Sequence, residues 1–319
     1  MTKPILGIHH VTAIATDPQR NLDFYTEVLG LRLVKRTVNF DDPGTYHFYF
    51  GDETGSPGTI LTFFPWPNAG QGRAGVGQTT VTSFSVPEPS LSYWEGRLRS
   101  AGVPVEASGK RFDEDVLTFA DPDGLKLEIV AHADARQVQT WTGTDVPLEH
   151  SIRGFHSVTL AERNLEATAG TLQTMGFHKV AEAGNRFRFE VGEGGDGTRV
   201  DVLALPTGRH GSVAAGTVHH VAFRVADDES QLEWRKDLIQ HGLDVTPVQD
   251  RNYFHSIYFR EPGGVLFELA TDPPGFAIDE PVESLGEALK LPESFKHFRD
   301  EIEKVLPPIE LHKTTRSVK

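Results

Sequence analysis

One unit recurs four times along this sequence, and a single copy has one apolar sheet face and one helix, too little to bury alone. Each copy opens with a strand, enters an amphipathic helix that stops at Gly, and returns in a closing strand. The first reads Gly7-Ile8-His9-His10-Val11-Thr12, then Leu22, Tyr25, Val28 and Leu29 as an apolar stripe, Gly30 as the stop, and residues 59–64 as the closing strand. The second opens near Val81, stops at Gly102 and closes through Asp121-Pro122-Asp123-Gly124 to Glu128. The third opens Gly154-Phe155-His156-Ser157-Val158, stops at Gly176 and closes through Asp201. The fourth opens Val218-His219-His220-Val221-Ala222-Phe223 and runs a helix through Leu232, Arg235, Leu238 and Ile239 to Gly242. It closes Glu261-Pro262-Gly263-Gly264-Val265-Leu266-Phe267-Glu268. The fold class expected is α+β: four βαβββ modules paired into two half-open β-barrels with helices outside.

Chain order suggests the boundaries. A polar connector at residues 132–152 divides residues 1–145 from 146–275, two modules each, and residues 276–319 form a tail in which 292–305 have helical spacing. Within 319 residues, 31 Lys+Arg against 45 Asp+Glu leave a net charge of −14, which disfavours nucleic acid and anionic lipid as partners. There is no cysteine, so a metal site has only nitrogen and oxygen ligands to draw on. The first residues lack a signal-peptide apolar stretch and no segment approaches a membrane span, so the expected location is the cytoplasm. Glycines 72, 75 and 77 read as a flexible connector, since no Lys-Ser/Thr follows them as in a phosphate loop.

Two positions in the repeat carry ligand chemistry: one in each first strand and one in each closing strand. Strand alternation puts His10 with Thr12 on one face and His9 with Val11 on the other, the Val-rich side packing on the helix. The four first-strand positions then read His10, Val81, His156 and His220, and the closing positions Thr62, Glu128, Asp201 and Glu268. Two imidazoles and one carboxylate hold a divalent metal with coordination positions left open, the set used by oxygen-activating non-haem Fe(II) sites. Pairing the first and fourth modules yields His10, His220 and Glu268. Pairing the third and fourth yields His156, Asp201, His220 and Glu268, and pairing the second and third yields Glu128, His156 and Asp201. Periodicity alone does not choose. Glu128, with no strand His opposite it in the first half, reads as an ordinary strand-face carboxylate.

The runs Ile8-His9-His10-Val11-Thr12, Val218-His219-His220-Val221-Ala222-Phe223 and the stretch ending at Glu268 resemble the vicinal oxygen chelate superfamily. With Leu33-Val34-Lys35-Arg36-Thr37-Val38, Gly55-Ser56-Pro57-Gly58-Thr59, Arg153-Gly154-Phe155-His156-Ser157 and Asp250-Arg251, the chain resembles its hydroquinone and chlorohydroquinone ring-cleaving dioxygenases. That resemblance implies Fe(II), with Mn(II) or Zn(II) as substitutes, held by His10, His220 and Glu268. It implies O₂ and a small aromatic diol as co-substrates and places Tyr258 and the Arg251 region at the substrate. Around the ligands, His9, His219 and Tyr258 are the candidate proton donors, and Thr12, Arg251 and His255 the candidate substrate contacts, Arg251 or His255 meeting the distal hydroxyl of a para-diol. The alternatives are a glyoxalase-like isomerase or lyase using four protein ligands, and a metal-free protein that sequesters an aromatic drug. A homo-oligomer is compatible with all of these.

Overall fold

In the computed structural model, residues 4–136 and 138–311 are described. The first module contributes β1 (Ile8–Ala15), α1 (Pro18–Asp23), β2 (Arg32–Val38), β3 (Tyr46–Gly51) and β4 (Ile60–Pro65). The second contributes β5 (Gln78–Pro87), α2 (Leu91–Ser100), β6 (Val105–Arg111), β7 (Glu114–Ala120) and β8 (Lys126–His132). The third holds β9 (Phe155–Glu162), α3 (Leu165–Thr174), β10 (His178–Ala183), β11 (Arg186–Glu190) and β12 (Arg199–Ala204). The fourth holds β13 (Thr217–Val225), α4 (Asp228–Gln240), β14 (Gln249–Asp250), β15 (Phe254–Arg260) and β16 (Leu266–Pro274).

Within each module the closing strand pairs in parallel with the first strand, and modules join through antiparallel pairing of their first strands. The joins are β1 with β13 and β5 with β9, giving two eight-stranded sheets ordered β14-β15-β16-β13-β1-β4-β3-β2 and β10-β11-β12-β9-β5-β8-β7-β6. The first sheet therefore unites the first and fourth modules, the second the middle two. This corrects the expectation that residues 1–145 and 146–275 would each close on themselves: both sheets draw strands from both sides of that boundary. Antiparallel joining needs each first strand to offer a free edge to another first strand, which any two modules satisfy, so chain order does not decide the partner.

The four helices start and stop where the sequence indicates. Asp17, Asn164 and Asp227 cap α1, α3 and α4 by accepting from backbone N–H groups, and Gly30, Gly102, Gly176 and Gly242 take positive φ beyond the helix ends. In α4, however, the buried apolar residues are Trp234 and Leu238, while Leu232 and Ile239 face solvent. The two sheets meet closely at Gly7 and Gly154, which precede equivalent first strands. A Cβ at Gly7 would lie 2.5 Å from the Gly197 carbonyl oxygen, and one at Gly154 2.7 Å from that of Gly58. Both have φ near +100°, at +118° and +99°, so glycine is required twice over. The following N–H groups, of Ile8 and Phe155, donate across the junction to those same two oxygens.

The tail is less helical than its spacing predicts. It runs through short 3₁₀ turns to one helix, α5 (Arg299–Val305), in which Ile302 is buried and Val305 exposed; Phe298 just before it is exposed too. The tail is fixed to the first sheet by Lys35, fully buried, whose ammonium donates at 2.5 Å to both Asp279 and Glu280.

Candidate metal centre

His10, His220 and Glu268 converge at the middle of the first sheet, all buried, although the chain places them as far apart as residues 10 and 268. Register brings them there: His10 lies opposite Ala222, Thr12 opposite His220, and Ala222 beside Glu268. Glu268 Oε2 is 3.2 Å from His10 Nε2 and 2.9 Å from His220 Nε2, and the two Nε2 atoms are 3.3 Å apart. Yet Glu268 Oε2 makes no hydrogen bond among the described residues. An orphaned buried carboxylate oxygen facing two imidazole nitrogens is costly unless a cation joins the group, and the donor set suits a divalent transition metal. Burial disfavours the Glu268 charge, but the adjacent His10 and His220 hold its carboxyl well below the ordinary range. Its other oxygen accepts from the Ser256 hydroxyl. Burial keeps His220 neutral against the pull of Glu268, the state a metal ligand needs.

Simple alternation fails at His9 and His219. β1 and β13 each carry a bulge there, between the pairs Ile8↔Phe223 and His10↔Ala222 and between Thr12↔His220 and Ala13↔Val218. The extra residue turns its side chain beside its neighbour's instead of onto the helix side. His9 Nδ1 lies 2.9 Å from His10 Nδ1, and His219 Nδ1 2.7 Å from His220 Nδ1. For Nε2 of each ligand to face a metal, its Nδ1 carries the proton and donates to the preceding histidine. His9 and His219 are thus placed to orient the rings of His10 and His220. Burial and the neighbouring ligand lower both, His219 to about 3, so they stay neutral.

Tyr258, paired with Glu268 across β15 and β16, lies with its ring centroid 5.7 Å from that of His220. Arg251 Nε donates to its hydroxyl at 3.1 Å, and the guanidinium sits over the phenol ring. Burial and the Glu268 charge raise the Tyr258 hydroxyl, so it remains a donor. Thr12 is also in the site, 3.0 Å from Thr62. His255 is not: opposite in parity to Ser256 and Tyr258, it turns to Asp228 at the start of α4, 2.6 Å away. The expected role of His255 at a distal hydroxyl is therefore withdrawn. The sequence reading also missed His47 and Tyr49 on β3, where His47 contacts Thr62 at 2.8 Å and Tyr49 at 2.9 Å. The repeat carried the signal, since Tyr46-His47-Phe48-Tyr49-Phe50 matches His255-Ser256-Ile257-Tyr258-Phe259 in register.

The second sheet has the same addresses, but among the described residues they bring together no counterpart of the His10, His220 and Glu268 trio. Its bulge residues are Thr80 and His156, so His156 is the counterpart of His9, and Ser157, not His156, stands where His10 does. The closing carboxylates are taken by guanidinium groups: Arg111 holds Glu128 at 2.6 Å through both terminal nitrogens, and Arg188 and Arg186 hold Asp201 at 2.8 to 3.2 Å. The four-ligand set from third and fourth modules does not form. A different group, His132, His156 and Asp196, does come together in these middle modules, but Arg199 Nη1 is already 2.6 Å from His156 Nε2.

Comparison with known proteins identifies relatives of this fold. Residues 7–129 and 154–269 match the family model described as Glyoxalase/Bleomycin resistance protein/Dioxygenase superfamily. The chain is 50% identical over 98% of its length, and 99% of the relative's, to the Bacillus subtilis protein named "Putative ring-cleaving dioxygenase MhqO". It is 37% identical to the Sphingobium indicum chlorohydroquinone/hydroquinone 1,2-dioxygenase, covering 93% of this chain and 94% of that one. A crystal structure of a "putative dioxygenase" from Bacillus subtilis superposes with a TM-score of 0.93 at 49% identity, over 98% of this chain and 99% of that one. Among the described residues no helix is long and apolar enough to cross a membrane.

Proposed function

This chain belongs to the glyoxalase/bleomycin resistance/dioxygenase superfamily, and from that premise we propose that it is an Fe(II)-dependent dioxygenase opening the ring of hydroquinone-type diols with O₂. The observation that carries the reading is the buried trio with an orphaned Glu268 oxygen, together with Thr62 at the counterpart of the Glu268 position, which supplies no carboxylate where a fourth ligand would come from. A metal with three protein ligands keeps positions for substrate and oxygen, and the chlorohydroquinone/hydroquinone 1,2-dioxygenase relative points to the para-diol class. Iron held by His10, His220 and Glu268 would bring a phenolate oxygen and O₂ together and let electrons pass between them.

The remaining work falls to the protein. His9 and His219 fix the ring orientations of the ligands through their Nδ1 atoms. Tyr258, held by Arg251, has its hydroxyl on the His220 side of the trio, where it would donate a proton to a substrate oxygen. Phe254, whose ring is 5.0 Å from both His9 and His10, keeps water away on that flank.

The test is direct. Protein purified without added metal, then loaded with Fe(II) under nitrogen, is assayed for bound iron and for oxygen uptake with hydroquinone and with catechol. The expected result is about one iron per chain and uptake favouring hydroquinone. Binding of an aromatic compound without iron or uptake would replace the oxygenase reading with sequestration.

A further inference from the structure

The pseudo-two-fold axis between β1 and β13 gives each residue of the metal centre a counterpart. Thr62 sits where Glu268 does, Tyr49 where Tyr258 does, and His47 where Ser256 does. On the ligand side a hydroxyl donates to a carboxylate, Ser256 to Glu268. On the opposite side an imidazole meets a hydroxyl: His47 Nε2 is 2.8 Å from Thr62 Oγ1, and Tyr49 Oη is 2.9 Å from His47 Nδ1.

The row has one direction when the buried Tyr49 hydroxyl donates to His47 Nδ1 at 2.9 Å: the neutral imidazole then carries its proton on Nε2, which faces Thr62 Oγ1 at 2.8 Å. Thr62 Oγ1 accepts that proton's hydrogen bond, which leaves the Thr62 hydroxyl hydrogen to be donated elsewhere. One acceptor is Thr12 Oγ1 at 3.0 Å. Another is any oxygen that enters on the side of the trio where no carboxylate projects.

We propose that Thr62 is a substrate-contacting hydrogen-bond donor to the phenolate oxygen of the diol, and that His47 and Tyr49 are positioning residues that fix the direction of its proton. The inference rests on the reading of His10, His220 and Glu268 as a metal centre for oxygen ligands. A phenolate brought into a buried site loses its water donors, and a preorganised hydroxyl replaces one of them at no reorganisation cost when the substrate arrives. Thr12 takes the proton while the position is empty, which keeps Thr62 satisfied in both states.

Four variants test this: Thr62→Val, Thr62→Ser, Tyr49→Phe and Thr62→Glu. Two measurements need no turnover, namely Fe(II) affinity by competition with a chelator and anaerobic binding of 4-nitrophenol followed by its phenolate absorbance. Thr62→Val should keep Fe(II) affinity, weaken 4-nitrophenolate binding about 10-fold and lower kcat/KM for hydroquinone by about 10- to 100-fold, the scale of one hydrogen bond to a charged group. Thr62→Ser should restore both to within about 3-fold, which also separates the effect from misfolding. Tyr49→Phe should lower kcat about 3- to 10-fold with KM little changed, because the contact itself survives while its direction is no longer enforced. Thr62→Glu should tighten Fe(II) and abolish oxygen uptake by supplying the missing ligand. Wild-type probe binding in Thr62→Val, or unchanged Fe(II) affinity in Thr62→Glu, would overturn the proposal. If wild-type protein binds no Fe(II), it is the metal-centre reading that fails instead.

Discussion

The two sheets share one topology and solve one electrostatic problem in opposite ways. In the first, Glu268 faces His10 and His220 with an oxygen left unbonded. In the second, Glu128 and Asp201, at the same address, are each gripped by arginine, and Glu114 is shared among His156, Arg188 and Arg199. Those cations hold the Glu114 carboxyl down at about 2 although burial opposes it. A fixed guanidinium fork neutralises a buried carboxylate permanently, whereas the arrangement at Glu268 leaves one oxygen for something exchangeable. The difference teaches that the repeat supplies a place for a buried anion, and that the partner chosen for it decides between structure and chemistry.

The comparison breaks most visibly by removing one carboxylate from each sheet. Glu268→Ala should lose bound iron and reduce oxygen uptake on the order of a thousandfold or more, several kcal/mol of barrier. Glu128→Ala should leave uptake within about threefold but cost roughly 3–5 kcal/mol in urea unfolding, since it strands Arg111 without its partner. If Glu128→Ala also strips the iron, the two sheets do not divide the labour as described. A double change sharpens the point: Arg111→Met with Glu128→Leu should recover most of that stability, about 2–4 kcal/mol, because a matched apolar pair replaces a matched charged one. Next in size, Tyr258→Phe should retain iron and lower kcat about 10- to 100-fold in steady-state assays.

The smallest effect belongs where the sheets meet. Burial and the nearby Glu261 raise Glu162, at the end of β9, to about 8, so the folded protein keeps a proton there that the unfolded chain releases near the ordinary carboxylate value. Between those two values the folded state binds more protons, so this group's contribution to stability is full at acid pH and fades as pH rises towards 8. Glu162→Gln should remove that slope and gain on the order of 1–2 kcal/mol at pH 8 over wild type in urea titrations at pH 5 and pH 8. A slope that persists in the variant would assign the titration to another group.

Much of this was legible in the sequence because it depends on local chemistry. Helix stops at glycine and closing strands that follow Pro-Gly turns are written in neighbouring residues, and they reveal four modules. The grouping of His10, His220 and Glu268 was legible through the repeat and the resemblance together. What escaped depends on pairing across the chain. The bulges at His9 and His219 arise only when β1 meets β13, so alternation along either strand alone misplaces those side chains and mistakes His156 for a counterpart of His10. The arginines that fill the second sheet lie on β6 and β11, whose register against the closing strands no spacing reveals. His255 shows the reverse error, a polar residue near the site by number and turned to α4 by parity.

The interleaved order of modules also governs when the metal centre can exist during synthesis. Strands β5 to β12 are contiguous in the chain, so the second sheet can close while the ribosome is still adding the fourth module. His10 precedes the second sheet in the chain while His220 and Glu268 follow it, so a nascent chain in which that sheet has just closed carries one residue of the trio. The trio therefore assembles only once the fourth module has joined the first.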